Sequence, residues 1–116
     1  MKTTQIKYRQ WMGTEWRYWG FIDGIFVAPI QGIEDSYQLL PLPDKNGNEI
    51  WEGDIIKIYP EGDIREIIWD PFLLKFISDE KNSGHDELSP YFFGEKSEVI
   101  GNIKENPELL EEAQNI

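Results

Sequence analysis

The chain has 116 residues, the size of one domain with a single modest hydrophobic core. It contains no cysteine, so disulfides, thiol nucleophiles and thiolate metal sites are excluded. Its formal net charge of −11 argues against binding of double-stranded nucleic acid, which requires clustered lysine and arginine. No apolar run approaches the length of a membrane span, and the amino terminus lacks the features of a signal peptide. We therefore expect a cytoplasmic protein with no membrane partner.

The amino-terminal part is predicted to be an aromatic β-meander. Alternation and turn residues predict three strands, a polar loop and a short fourth strand, at residues 5–11, 16–22, 25–30, 31–36 and 37–40. Asp23-Gly24 is the predicted turn between the second and third strands. Seven aromatic residues crowd this part: Tyr8, Trp11, Trp16, Tyr18, Trp19, Phe21 and Phe26. Residues 1–43 have balanced charge, so the entire net charge of −11 belongs to residues 44–116.

The central run, residues 44–58, combines a tight turn with the start of a strand. Asn46-Gly47 is the dipeptide that most readily takes positive φ at both central positions of a two-residue hairpin turn. Gly53, which has no Cβ, permits a bulge or a close backbone approach before the next strand. A hairpin follows, with predicted strands at 54–59 and 64–69 and a turn at 60–63.

The carboxy-terminal part is predicted to contain further strands and the one helix. The predicted elements are an apolar strand at 72–77, a polar loop at 78–89, a short aromatic strand or hydrophobic anchor at 91–93 and a last strand at 97–103. Asn106 can cap a helix that begins at Pro107 and runs to about Ala113. Many short strands with close turns indicate a mainly β fold, a small barrel or sandwich of short antiparallel strands with a short C-terminal helix. The strand start at Gly53-Asp54 also resembles an element of small SH3-like barrels.

The central run also carries a family resemblance. The pattern Asp-Lys-Asn-Gly-x-Glu-Ile-x-Glu-Gly-Asp-Ile at residues 44–55, followed by an Ile-x-Trp strand, resembles the YopX family of phage and prophage proteins. Residues 6–11 and 98–110 are similar to the two ends of that family. The resemblance implies a phage-encoded protein of the bacterial host cytoplasm, with no assigned activity. Length, composition and this resemblance together predict a single YopX-like domain at 1–116. Charge and element pattern divide it into a neutral aromatic β-meander at 1–43, an acidic β-barrel portion at 44–106 and a helical tail at 107–116.

The sequence contains no strong catalytic or metal-binding pattern. His85 is the only histidine and lies in a stretch with the composition of a mobile loop, where a solvated side chain is favoured over a nucleophilic triad. A metal site could be built from His85 with Asp79, Glu80, Asp86 and Glu87. Their spacing matches no calcium loop, and the set lacks the second histidine or the cysteine that transition metals usually require. Glu52 and Asp54 could form a carboxylate pair for acid–base chemistry, but the favoured interpretation is that Asp54 accepts backbone hydrogen bonds. We therefore predict no enzyme activity and no catalytic, cofactor-binding or metal-binding residue.

Two functions from different classes remain open. The first is a small non-enzymatic protein-binding module, whose acidic half attracts a basic or nucleic-acid-binding partner of unknown identity. The alternative is a weak binder of single-stranded nucleic acid or a small ligand, with Trp16, Tyr18 and Trp19 stacking beside Arg9 and Arg17. Core packing is the more ordinary use of those rings. Five tryptophans and six phenylalanines exceed what one thin barrel covers, so we also expect a homo-oligomer.

Overall fold

The structure is a computed structural model that describes residues 7–60, 62–70, 75–80, 84–87 and 96–114, with side chains described at 7–60, 62–68 and 96–111. Within these ranges the chain forms nine β-strands and one helix. The strands are β1 (Lys7–Trp11), β2 (Trp16–Ile22), β3 (Ile25–Val27), β4 (Tyr37–Gln38), β5 (Asp54–Ile58), β6 (Asp63–Asp70), β7 (Lys75–Glu80), β8 (Gly84–Glu87) and β9 (Ser97–Asn102). The helix, α1, spans Glu108–Gln114.

The first four strands form one antiparallel sheet in the order β3-β2-β1-β4. Strand β2 has the predicted bounds, and the Asp23-Gly24 turn after it takes positive φ at both positions, as a two-residue hairpin requires. Strand β3 ends at Val27 rather than at the predicted residue 30, because the backbone that follows it is hydrogen-bonded to the side chain of Gln10. The Gln10 side-chain oxygen accepts a hydrogen bond from the Ile30 amide (2.8 Å), and its Nε2 donates to the carbonyl oxygens of Ile30 and Ile33 (3.2 and 3.1 Å).

The other five strands form a second antiparallel sheet in the order β8-β7-β6-β5-β9. The buried core lies on one face of this sheet and consists of Leu40, Ile50, Ile56, Ile58 and Ile67, with Val99 packed against it. We call residues 39–53, which connect β4 to β5, the turn segment. Leu40 and Ile50 lie on its two sides, where the Leu40 amide donates to the Ile50 carbonyl oxygen (2.8 Å). Each fully buried aliphatic side chain contributes about 1.5–3 kcal/mol.

The prediction of a mainly β protein with a short carboxy-terminal helix is confirmed. Of the arrangements that the sequence left open, the described strands form two sheets, and none of their pairings closes a sheet into a barrel. The helix starts close to its predicted position, but Asn106 does not cap it as predicted. Its side-chain oxygen instead accepts a hydrogen bond from the Asn102 amide (3.3 Å), which closes the turn after β9. No helix in the described part of the chain is long and apolar enough to cross a membrane.

The hairpin tip predicted at Asn46-Gly47 is present at residues 44–48, but it is not the two-residue turn that this dipeptide favours. Gly47 takes a positive φ (81°) but Asn46 does not. The Asp44 carbonyl oxygen accepts a hydrogen bond from the Gly47 amide (3.1 Å), and the Asp44 amide donates to the Asn48 carbonyl oxygen (2.9 Å). This is a three-residue loop with glycine in the left-handed position. The Asp44 carboxylate favours it, because Oδ1 accepts hydrogen bonds from the amides of Asn46 and Asn48 (2.9 Å each).

The polar loop predicted at 78–89 is wrong in part, since β7 continues to Glu80 and β8 pairs with it. His85 lies opposite Asp79 in this pairing, so its backbone belongs to a strand rather than to the predicted loop. Apolar alternation did not reveal this strand, because an outer strand of an antiparallel sheet needs no apolar face. The start of the strand predicted at 72–77 and the aromatic segment at 91–93 lie outside the described residues.

Candidate functional site

A buried ion pair joins the two sheets. Arg9 of β1 donates from Nη2 to Oδ1 of Asp54 at the start of β5 (2.8 Å), and the Trp51 amide donates to Oδ2 of the same carboxylate (2.7 Å). The guanidinium carbon lies 3.9 Å from the centroid of the Trp16 ring and 4.8 Å from that of the Trp51 ring. Both charged side chains are buried. We call Arg9, Trp16, Trp51 and Asp54 the sheet junction.

Burial dominates the electrostatics of the sheet junction. It raises the pKa of Asp54 to about 6, although the hydrogen bond from the Trp51 amide and the charge of Arg9 both act to lower it. The Nε of Arg9 is buried and has no hydrogen-bond partner in the described part of the structure. A buried pair of this kind contributes little net stability, but losing one partner leaves an uncompensated charge. The sheet junction is therefore a contact between the two sheets that is costly to break on one side only.

The raised pKa of Asp54 predicts a pH dependence of stability. The native carboxyl group holds a proton that the unfolded chain releases at about pH 4. Its stabilising contribution is therefore fully present below about pH 4 and is lost as pH rises through the native pKa of about 6. Urea midpoints of the wild type and Asp54→Asn across this range measure the effect. We expect the stability of the wild type relative to the variant to fall with rising pH; a constant difference, or one of opposite slope, would contradict the assignment.

Beside the sheet junction, the backbone at Gly53 lies close to the side chain of Tyr37. Gly53 has a φ of 85°, its amide donates to the Ile67 carbonyl oxygen (2.8 Å), and a Cβ there would lie 3.1 Å from Cδ1 of Tyr37. The Tyr37 ring in turn stands edge-on to Trp16, with the ring centroids 5.9 Å apart. The close approach predicted for Gly53 is confirmed, and it ties the start of β5 to β4.

Gly53→Ala should lower the free energy of unfolding by about 2–3 kcal/mol, from the left-handed backbone together with the Tyr37 contact. Gly24→Ala is the matched control, because Gly24 also has a positive φ (79°) but a Cβ there would have no neighbour within 4 Å. It should lose only about 1–2 kcal/mol. Urea denaturation of both variants tests this, and equal losses would show that the Tyr37 contact does not matter.

The two candidate acid–base carboxylates, Asp54 and Glu52, are both at least partly buried. Asp54 accepts the Trp51 amide at the start of β5, so the favoured interpretation of this residue is confirmed. Glu52 is half-buried, and burial raises its pKa. Among the described side chains, no three histidine, aspartate or glutamate groups converge where a metal ion could bind. The acidic residues around His85 lie outside that set, so the sequence interpretation of them stays a prediction.

Asp44 fastens the turn segment to the second sheet. Its Oδ2 accepts a hydrogen bond from the Val99 amide of β9 (2.9 Å), and the Lys45 amide donates to the Ser97 carbonyl oxygen (2.9 Å). Burial acts to raise the pKa of Asp44, but the hydrogen bonds from backbone amides outweigh it, so the pKa is lowered. Sequence analysis assigned no role to this carboxylate. Its position directly before a turn could have indicated one, because aspartate at such a position accepts hydrogen bonds from backbone amides.

The three predicted stacking residues do not share one surface. Trp16 and Tyr18 lie on the face of β2 that meets the second sheet, where Trp16 donates to Oε1 of Glu105 (2.7 Å). Trp19 lies on the opposite face, stacked on Tyr8 with ring centroids 4.3 Å apart, and donates to Oγ of Ser36 (3.0 Å). Of the three, only Tyr18 is exposed. The alternation of side chains along a strand separates Trp19 from the other two.

The hairpin formed by β2 and β3 exposes an apolar surface that sequence analysis did not identify. We call Phe21, Ile25, Phe26, Val27 and Ile30 the hairpin patch. These residues are 53, 67, 56, 40 and 37 % exposed, in that order. The rings of Phe21 and Phe26 lie 5.5 Å apart on one face. The sequence of residues 25–30 could have indicated this surface. The run contains no polar residue, so neither face of a strand formed there would be polar.

The fold is that of a small, mainly β protein of two antiparallel sheets, with a buried ion pair between them. Residues 33–111 match the family model described as YopX protein, so the chain belongs to the YopX family. The matched region begins after β3, so it includes the turn segment and the second sheet but neither β1 nor the hairpin patch. The similarity suggested for residues 6–11 also lies outside it. A search of curated proteins found no match.

Proposed function

We propose that this protein is a non-enzymatic binding module whose acidic second sheet docks a basic protein partner. The observation that carries the proposal is the separation of charge between the sheets. The charge-balanced residues 1–43 supply all four strands of the first sheet, whereas residues 44–116, with the entire net charge of −11, supply the second sheet and α1. A surface with one sign of charge attracts the opposite sign and speeds association.

Exposed acidic side chains occur in several parts of the acidic half. They include Glu49 after the turn at 44–48, and Glu108 and Glu111 of α1. Three lysines of this half lie near aromatic rings: Lys45 and Lys57 are 3.9 and 5.6 Å from the centroid of the Tyr59 ring, and Lys104 is 5.9 Å from that of Tyr37. The exposed glutamates are the groups that a basic partner would contact.

Charge reversal tests the proposal with a matched pair of variants. Glu49→Lys with Glu111→Lys alters the acidic half, and Glu34→Lys with Asp35→Lys makes the same charge change on exposed residues of the neutral half. We expect affinity capture from bacterial lysate to retain one basic protein on the wild type and on the second variant but not on the first. The affinity of the wild type for that captured protein should fall steeply as salt is raised from about 50 to 500 mM. Equal capture by both variants, or a salt-insensitive partner, would contradict the proposal.

A further inference from the structure

Strand β3 lies at the edge of the first sheet. One side of it pairs with β2, with Phe21 opposite Phe26 and Ile22 opposite Ile25. The order β3-β2-β1-β4 leaves its other side without a partner strand among the described residues. A sheet edge presents unpaired amide and carbonyl groups to any extended chain that can reach it.

The residues of β3 have the composition of an interior strand. Ile25, Phe26 and Val27 are consecutive, so they project alternately from the two faces of the sheet, yet all three are exposed. Strands that read as continuous apolar runs are normally buried on both faces. Edge strands of monomeric proteins are usually protected by being very short, or by lysine, proline or a bulge. Strand β3 is short, but its three residues include no charged residue and no proline. The edge is therefore suited to continuing into another strand.

We propose that β3 of a second copy of this chain occupies this edge, in antiparallel register about a two-fold axis. Phe26 would lie opposite Phe26 of the second copy, and Ile25 opposite Val27. This arrangement is self-complementary, as a two-fold interface must be, because each apolar residue meets an apolar residue. The two four-stranded sheets would then form one eight-stranded sheet.

Charge favours a second copy on this surface over other surfaces of the chain. The hairpin from Trp16 to Ile30 contains one positive and one negative residue, Arg17 and Asp23. Two copies that each carry a net charge of −11 repel one another, and the repulsion is smallest where neutral surfaces meet. Pairing through β3 leaves both acidic sheets free for the proposed partner.

The exposed area sets the expected strength of the contact. The hairpin patch has apolar side chains on both faces of the sheet, each more than one third exposed. A stable interface buries about 800 Å² from each partner. Pairing of two three-residue strands covers only part of such an area, so we expect a reversible dimer with a dissociation constant of about micromolar size.

Sedimentation velocity over about 1 to 200 µM tests the dimer. The wild type should move from its chain mass of 13.6 kDa to twice that mass, and the dimer should strengthen as salt screens the negative charge. Ile25→Lys with Val27→Lys should remain monomeric, because each lysine would meet a lysine of the second copy. Gln31→Lys, an exposed change outside the strand, should dimerise like the wild type. A wild type that stays monomeric at about 200 µM overturns the proposal and assigns the patch to a different protein.

A cross-linking variant tests the register without depending on the lysine variant folding. The chain has no cysteine, so Phe26→Cys introduces a single thiol. Residues directly opposite in an antiparallel pair are about 4.5–5.5 Å apart between Cα atoms, within the range of about 4.4–6.8 Å for a disulfide. Mild oxidation should therefore join two copies. Phe21→Cys is the control, since the two thiols would be three strand spacings apart, about 14 Å. Equal cross-linking of both variants, or of neither, would overturn the proposed pairing.

Discussion

Arg9→Met should lower the free energy of unfolding by about 3–5 kcal/mol at pH 7. Methionine matches much of the arginine volume, but it leaves the Asp54 carboxylate, which is 2 % exposed, without its cationic partner. It also removes the cation that lies over the Trp16 and Trp51 rings. Urea denaturation followed by tryptophan fluorescence measures the loss. At about pH 5 the loss should be smaller, because the native Asp54 is then largely protonated.

A matched control for Arg9→Met exists on the surface. Arg17 pairs with Glu15 at the same distance of 2.8 Å, but both side chains are 57 % exposed. Exposed pairs contribute at most about 1 kcal/mol, so Arg17→Met should have little effect. Similar losses in the two variants would show that burial of the Arg9 pair does not matter.

The double variant separates lost charge pairing from lost packing. Asp54→Asn in the Arg9→Met background removes the uncompensated charge and keeps an oxygen that can accept the Trp51 amide. The combined loss should therefore be smaller than the sum of the single losses, with a coupling of about 1–3 kcal/mol. Additive losses would contradict a direct interaction.

Local chemistry explains which parts of the fold the sequence could predict. The bounds of β2 follow from its flanking turns, and the positive φ at Asp23-Gly24 follows from residue preference alone. The approach at Gly53 was also predictable, since a glycine just before an apolar strand marks a place with no room for a side chain. These features depend on residues that are neighbours in the sequence.

The missed features depend on residues that are distant in the sequence. Arg9 and Asp54 are 45 positions apart, and charge counting cannot pair them. The turn at Asn46-Gly47 was assigned from the dipeptide, whereas the Asp44 carboxylate selects the three-residue form. The placement of Trp19 away from Trp16 did have a local signal, because their odd spacing along β2 puts them on opposite faces.

Asp44→Ala should lower the free energy of unfolding by about 2–4 kcal/mol, the second large effect expected for this chain. The carboxylate accepts hydrogen bonds from the amides of Asn46, Asn48 and Val99, and hydrogen bonds to charged groups contribute about 1.5–3 kcal/mol each. Water can replace part of this at the exposed turn amides, so the total is less than three times that value. Asp44→Asn keeps one acceptor oxygen and should lose less than the alanine variant. Asp35→Ala is the exposed control and should change stability by less than about 0.5 kcal/mol.

The pH dependence of the Asp44 contribution has the opposite sign to that of Asp54. The pKa of Asp44 is lowered, so its stabilisation is present above the ordinary aspartate pKa and is lost as pH falls through the native value. The stability difference between the wild type and Asp44→Ala should therefore be constant near neutral pH and should shrink below about pH 4. Urea midpoints over this range measure it, and a difference that persists in acid would mean that the carboxylate charge is not what holds the turn to β9. Asp44 opens the run by which the sequence resembles the YopX family, and this experiment tests whether its carboxylate acts there through hydrogen bonds to the backbone.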